Sequence, residues 1–265
     1  MKRFLTAALL APAVFYVVEW SPQWLFWLAL ALVAGACFYE YSGIVAAQGI
    51  ERPGVLGYGA GVVLLWMRHS ELMFLLILAL SVLALAMRFR DLAKALPYAA
   101  ALVLGVLYTY GPWRVAGLLR SISPHWLLFA LALTWIGDAA AYYAGTRFGR
   151  HRLAPAISPK KSVEGSLASL AASVVFGVWF LHRCLPAVSL PEAVVLSIWA
   201  NVAGQIGDLA ESALKRGAGI KDSGNTLPGH GGWLDRVDSS LFAIPAVYLY
   251  LQQPWSSLLP GALQP

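Results

Sequence analysis

Apolar stretches separated by short polar breaks organise this chain from end to end. Runs rich in Leu, Ala and Val, with interspersed Trp and Tyr, cover residues 4–19, 24–39, 54–67, 71–87, 96–111, 125–145, 166–182, 192–210 and 236–252. A helix needs about 20 apolar residues to cross a hydrocarbon core near 30 Å. Each of the nine runs therefore predicts a membrane helix, several of them short. The third, GVLGYGAGVVLLWM, has fourteen residues with four glycines, so hydropathy alone leaves it open between a span and a re-entrant segment. Two of the polar breaks are longer, at 146–165 and 211–235.

Lysine and arginine accumulate in short cytoplasmic loops, and their distribution decides the third run. With nine spans and the N-terminus inside, fifteen of the nineteen basic residues fall inside. Only Arg68, Arg114, Arg120 and Arg183 fall outside. If the third run did not cross, every later loop would change sides and the tally would become seven inside against twelve outside. The pattern thus predicts an all-α integral membrane protein of about nine transmembrane helices, with a cytoplasmic N-terminus and the C-terminus outside. Both longer polar breaks then face the cytoplasm.

Composition agrees. The chain is 59% hydrophobic and 12% charged, where a soluble domain carries about a quarter charged residues. No soluble domain can be cut out, so residues 1–265 form one polytopic membrane domain. The basic, apolar N-terminus lacks a small-x-small cleavage site and reads as an uncleaved first helix. Cys37 and Cys184 lie far apart in apolar surroundings and form no metal or redox spacing. The formal charge of +6 is ordinary for membrane loops, and no nucleic-acid-binding module accompanies it.

The charge that is present is concentrated. Residues 204–240, GQIGDLAESALKRGAGIKDSGNTLPGHGGWLDRVDSS, hold five of the thirteen acids (Asp208, Glu211, Asp222, Asp235, Asp238) beside Lys215, Arg216, Lys221 and Arg236. On a helix Asp235 and Asp238 share a face, and Gly229, Gly231 and Gly232 before them permit a tight turn. Oxygen-only ligands suit a hard cation such as Mg²⁺. Asp208 ends an apolar run, where a carboxylate costs roughly 2.5–3.5 kcal/mol near the helix centre and needs a polar cavity or a cation. It is a candidate third ligand. Of the five histidines only His230 lies in such a setting, and no zinc spacing exists. A second segment, TWIGDAAAYYAGTRFGRHRLAPAISPKKSVEGS, places Asp138 inside a span with Tyr142 one turn on. It then offers Lys160, Lys161, Ser162 and Ser166 at a helix start, a setting suited to phosphate oxygens.

Residues 212–238, SALKRGAGIKDSGNTLPGHGGWLDRVD, resemble the signature of the phosphatidate cytidylyltransferases, also called CDP-diacylglycerol synthases. Ser212, Lys215, Arg216, Lys221, Asp222, Pro228, His230, Gly231, Gly232, Asp235, Arg236 and Asp238 all match, and Trp233 replaces an aliphatic residue or Phe. GQIGDLAES and GDAAAY look like further family motifs, as does SPKKSVEG with Ser162 in place of Thr. The motif-bearing part is about 130–240. The resemblance implies transfer of the cytidylyl group of CTP to phosphatidate, with CDP-diacylglycerol and pyrophosphate as products. Catalysis would fall to Asp235, Asp238, Arg236 and His230. Asp208, Asp222, Asp235 and Asp238 would hold Mg²⁺, with room for a second cation. Lys160, Lys161, Ser162, Lys215, Arg216, Lys221, Asp138 and Tyr142 would bind substrate. It further implies a homodimer in the plasma (inner) membrane, its active site facing the cytoplasm.

Two rival readings fit less well. An ion-coupled transporter would use Asp138 and Asp208 as a relay, yet the outer halves of those spans read HWLLFALAL and PEAVVLSIWA. The CDP-alcohol phosphotransferases also cluster aspartates, but Asp235-x-x-Asp238 is followed here by Ser and the Ala-Arg step of their pattern is missing.

Overall fold

The structure is a computed structural model that describes residues 2–67, 71–226 and 231–253. Among these, nine α-helices follow in order: α1 (Lys2–Glu19), α2 (Gln23–Ala47), α3 (Val55–Trp66), α4 (Glu71–Ala86), α5 (Ala95–Ile122), α6 (Pro124–Phe148), α7 (Val163–Cys184), α8 (Leu190–Gly217) and α9 (Leu234–Leu251). Five segments are long and apolar enough to cross a membrane: α2, α5 with the 3-10 turn before it, α6, α7 and α8. The protein is thus a helical, multi-pass membrane protein. All nine apolar runs are helical, but hydropathy misplaces several ends. At α2, α5 and α8 the helix outlasts the apolar run; at α8 the added residues, ESALKR, are mostly good helix formers.

The α8 extension bears on function. It turns Glu211, Ser212, Lys215 and Arg216, expected in a loop, into helix residues with a fixed angular order. The helix stops where Gly219 adopts φ +70°, with Ile220 N–H donating to Lys215 O at 3.0 Å and Gly219 N–H to Arg216 O at 3.0 Å. This is a glycine-closed C-terminus. The all-α expectation needs one addition: the break between α6 and α7 carries a small antiparallel hairpin, β1 (Arg152–Ala154) and β2 (Ser158–Ser162), pairing Arg152 with Ser162 and Ala154 with Ser158.

The chain divides into two compact units. One comprises Met1–Ala13, Ser21–Arg114 and Leu214–Arg236; the other comprises Val14–Trp20, Val115–Ala213 and Val237–Pro265. In the first, the glycines of the short α3 are explained by ring packing. A Cβ at Gly57 would lie 2.2 Å from the Phe38 ring, and one at Gly61 2.3 Å from that of Tyr110. In the second, α6 and α7 run antiparallel at close quarters. A Cβ on Gly165 would stand 2.9 Å from Ala141 O, and one on Gly137 within 2.9 Å of Ser169, Ser173 and Asn201. Small residues let membrane helices approach closely enough for such polar groups to pair.

Candidate active site

The signature segment of the first unit is folded around two carboxylates. Glu40, on α2 and 2% exposed, accepts hydrogen bonds from Ser223 Oγ at 2.9 Å, Trp233 N–H at 3.0 Å and Leu234 N–H at 2.8 Å, and from the Thr226 hydroxyl. Asp235, in the first turn of α9, accepts from Lys215 Nζ at 2.5 Å, Ser223 N–H at 3.0 Å and Gly232 N–H at 2.8 Å. The glycines are what allow this. Gly231 has φ +78°, and a Cβ on Gly232 would lie 2.2 Å from Glu40 Oε2 and 2.3 Å from Ser223 Oγ. The tight turn expected here therefore closes on carboxylates of the chain itself. A cleft of about 390 Å³ opens beside it, lined by Tyr39, Glu40, Arg52, Gly224, Asn225 and Thr226 among others.

The second unit gathers acids differently. Asp138 on α6, Asp208 and Glu211 on α8, and Asp238 on α9 form one electrostatic group, in which the other three repel the charge of Asp238. Glu211 is fully buried. Asp208 pairs with Lys161 of β2, and Asp138 meets Ser239 Oγ at 3.5 Å. Next to this group a polar ladder descends between α7 and α8. Gln205 Nε2 donates to Asn201 Oδ1 at 2.6 Å, and Asn201 Nδ2 donates to Ser169 Oγ and Ser173 Oγ at 2.9 Å each. Hydrogen bonds of this kind average about 0.6 kcal/mol in a membrane interior. The ladder is closed upon itself, with Gly137 packed against it, and it works as helix glue rather than as a path.

The structure places the candidate residues unevenly. Lys161 reaches the acidic group of its unit through Asp208, whereas Lys160 is exposed on β2. Ser162 is the N-cap of α7, its Oγ accepting from Gly165 N–H at 3.2 Å. Tyr142 is 67% exposed and packs edge-on against Tyr143. Lys215 is buried on Asp235. Arg216 donates to Ile220 O at 2.8 Å, while Lys221, Asp222 and Arg236 are exposed. Leu227, Pro228, Gly229 and His230 lie outside the described residues. Two acids stand in these clusters without having been assigned from the motifs. One is Glu211, whose i+3 spacing from Asp208 becomes meaningful only once α8 extends past it. The other is Glu40, whose signal is available in the sequence: a lone acid directly after an apolar run and between two tyrosines calls for a partner.

A divalent cation fits the second cluster by donor chemistry, because all four side chains offer hard oxygen atoms and carry like charge. Among the described residues, no three His, Cys, Asp or Glu side chains are drawn together tightly enough to hold an ion as they stand.

A membrane bundle of this kind, with a signature loop fixed on carboxylates, matches a known class. Residues 1–253 fit the model of the cytidylyltransferase family. The chain is 34% identical over 222 residues to a phosphatidate cytidylyltransferase of Staphylococcus saprophyticus, covering 82% of this chain and 81% of that one. It is 37% identical over 165 residues to the phosphatidate cytidylyltransferase of Staphylococcus haemolyticus, covering 62% of this chain and 61% of that one. That of Staphylococcus aureus is 36% identical over the same shares. The chain belongs to the cytidylyltransferase family.

Proposed function

We infer that the protein is a CTP-dependent nucleotidyltransferase of phospholipid biosynthesis that converts phosphatidate to CDP-diacylglycerol, releasing pyrophosphate. The carrying observation is the family match across residues 1–253 together with a relative of that activity aligned over most of both chains. In the reaction a phosphate oxygen of phosphatidate attacks the α-phosphorus of CTP, and the bond between the α-phosphorus and the bridging oxygen breaks. Phosphatidate is already anionic at neutral pH, so no protein nucleophile is needed. The obstacle is repulsion between two polyanions. Lys160, Lys161, Arg216, Lys221 and Arg236 supply positive charge to the triphosphate and the lipid phosphate. Lys215 acts through Asp235, and Ser162 holds the start of α7 beside Lys161. Asp138 and Tyr142 are assigned to substrate binding by the sequence pattern.

Asp208 and Asp238, with Glu211 and Asp138 facing them, are the residues that would hold Mg²⁺, and a second cation would find acceptors in the same group. Asp235 belongs to the ligand set through the sequence pattern, as do Asp222 and, for catalysis, His230. A bound Mg²⁺ would neutralise charge on the phosphates and polarise the α-phosphate. The deciding assay combines purified protein, radiolabelled CTP, phosphatidate and Mg²⁺, scored for lipid-extractable label. Absence of label in folded protein overturns the reading.

The topology belongs to the same proposal: nine spans, N-terminus and active site cytoplasmic, C-terminus outside, in a plasma-membrane homodimer. Ser223 is buried on Glu40, so the exposed Asn225 is the better reporter. In a background lacking Cys37 and Cys184, cysteines at Asn225 and Ala156 are expected to be shielded from an impermeant thiol reagent added to intact cells, and one at Ser121 to react. Labelling at Asn225 from outside refutes the orientation. Light scattering in detergent tests the dimer.

A further inference from the structure

Glu40 is a buried acid in the C-terminal third of α2, on a segment that carries none of the family signature. Its carboxylate takes four donors from residues far along the chain: two hydroxyls, Ser223 and Thr226, and two backbone N–H groups, Trp233 and Leu234. The two N–H groups open α9, where an unpaired helix start needs an acceptor and where negative charge is favoured. Glu40 thus caps α9 from another helix while tying down the loop before it. Removing that acceptor would strand two backbone N–H groups and two hydroxyls, which costs stability; stability does not account for where the carboxylate acts, on the segment that lines the cleft.

We propose that Glu40 is a positioning residue for cytidylyl transfer, holding Ser223–Thr226 and the first turn of α9 in the arrangement the nucleotide requires. This rests on the enzyme reading given above. Glu40 itself is 2% exposed and acts through what it holds. Ser223–Thr226 line the cleft of about 390 Å³ beside Arg52 and Tyr39, and the α9 start that Glu40 caps carries Asp235 and Arg236. Each carboxylate oxygen accepts from one backbone N–H and one hydroxyl. In Glu40→Gln one amide NH₂ would face a backbone N–H, which cannot turn around to accept.

The test is steady-state kinetics of Glu40→Gln in detergent, normalised to protein that elutes as a single species with wild-type helix content. Hydrogen exchange of the 223–234 segment is measured in parallel. The expected result is a fall in kcat of roughly 10- to 100-fold, the scale of one lost charge-assisted hydrogen bond, with faster exchange at Trp233 and Leu234. Thr226→Val, which removes one hydroxyl donor, is expected to lower kcat less, and Glu40→Leu as much as Glu40→Gln or more. Wild-type kcat per folded molecule in Glu40→Gln overturns the proposal, as does a loss of activity that only tracks the unfolded fraction. If Glu40→Gln does not fold, Ser223→Ala and Thr226→Val decide, and wild-type kcat in both overturns it. Asp238→Asn assayed alongside separates this from the site reading: full activity there refutes the acidic site and leaves the Glu40 result standing.

Discussion

The two acidic clusters of this protein contain the same functional group in opposite electrostatic states. Around Glu40 and Asp235 the carboxylates are surrounded by donors: Lys215, four backbone N–H groups and two hydroxyls. Asp238 is repelled by other carboxylates, Asp208, Glu211 and Asp138, and Lys161 pairs with Asp208. The first arrangement is complete as it stands and fixes the shape of a loop. The second sets like charges against one another, which is the arrangement a proposed cation site calls for. Counting acids in a motif does not distinguish the two; counting the donors around each does.

The comparison breaks first at Asp238. Asp238→Asn is expected to abolish transfer, lowering kcat about a thousandfold or more if Asp238 holds the metal that stabilises the transition state. Because it relieves repulsion, it should leave thermal stability unchanged or raised, and it should remove any stabilisation that Mg²⁺ gives the wild type. A lowered melting temperature with activity retained would reverse the assignment of the two clusters. The next effect is on stability. Lys215→Ala strands a buried Asp235 carboxylate and is expected to destabilise by about 3–5 kcal/mol, read as a lower thermal midpoint. The double variant Lys215→Met with Asp235→Leu should recover much of that stability while remaining inactive. Recovery of activity would show that the pair is only packing.

Gly232→Ala drives a methyl into Glu40 and Ser223 at under 2.5 Å, and a shift of the loop should follow, costing about 1–3 kcal/mol and most of the activity. Gly219→Ala, which only strains a helix end, should cost about 1 kcal/mol and little activity. The smallest expected effect is at the exposed Lys221. Lys221→Ala should raise KM for CTP roughly tenfold with kcat kept, as loss of a contact made equally in ground and transition states does. Arg236→Ala should instead lower kcat. Equal, small changes in both parameters for both variants would mean that these cations are merely solvated.

The membrane class, the position of every described helix and the family were legible in the sequence, because hydrophobic runs and a long signature are local properties. The LPGHGGWLDRVD block announces itself by residue type alone. Helix ends were less legible, since hydropathy reports burial in lipid and not where hydrogen bonding stops; α8 runs to Gly217 on residues that look like a loop. The hairpin at 152–162 was missed because its two short strands, 3 and 5 residues long, carry no clean alternation. What only the tertiary structure decided is pairing. Asp235 and Asp238 stand one helical turn apart with identical side chains, yet one is enclosed by Lys215 and backbone donors and the other by acids. Glu40, 183 residues before Ser223 in the chain, closes the loop from a helix that the motif never reaches. A carboxylate's role depends on the charges within a few ångströms, and that distance is set by how helices remote in sequence pack, which no local pattern of residues encodes.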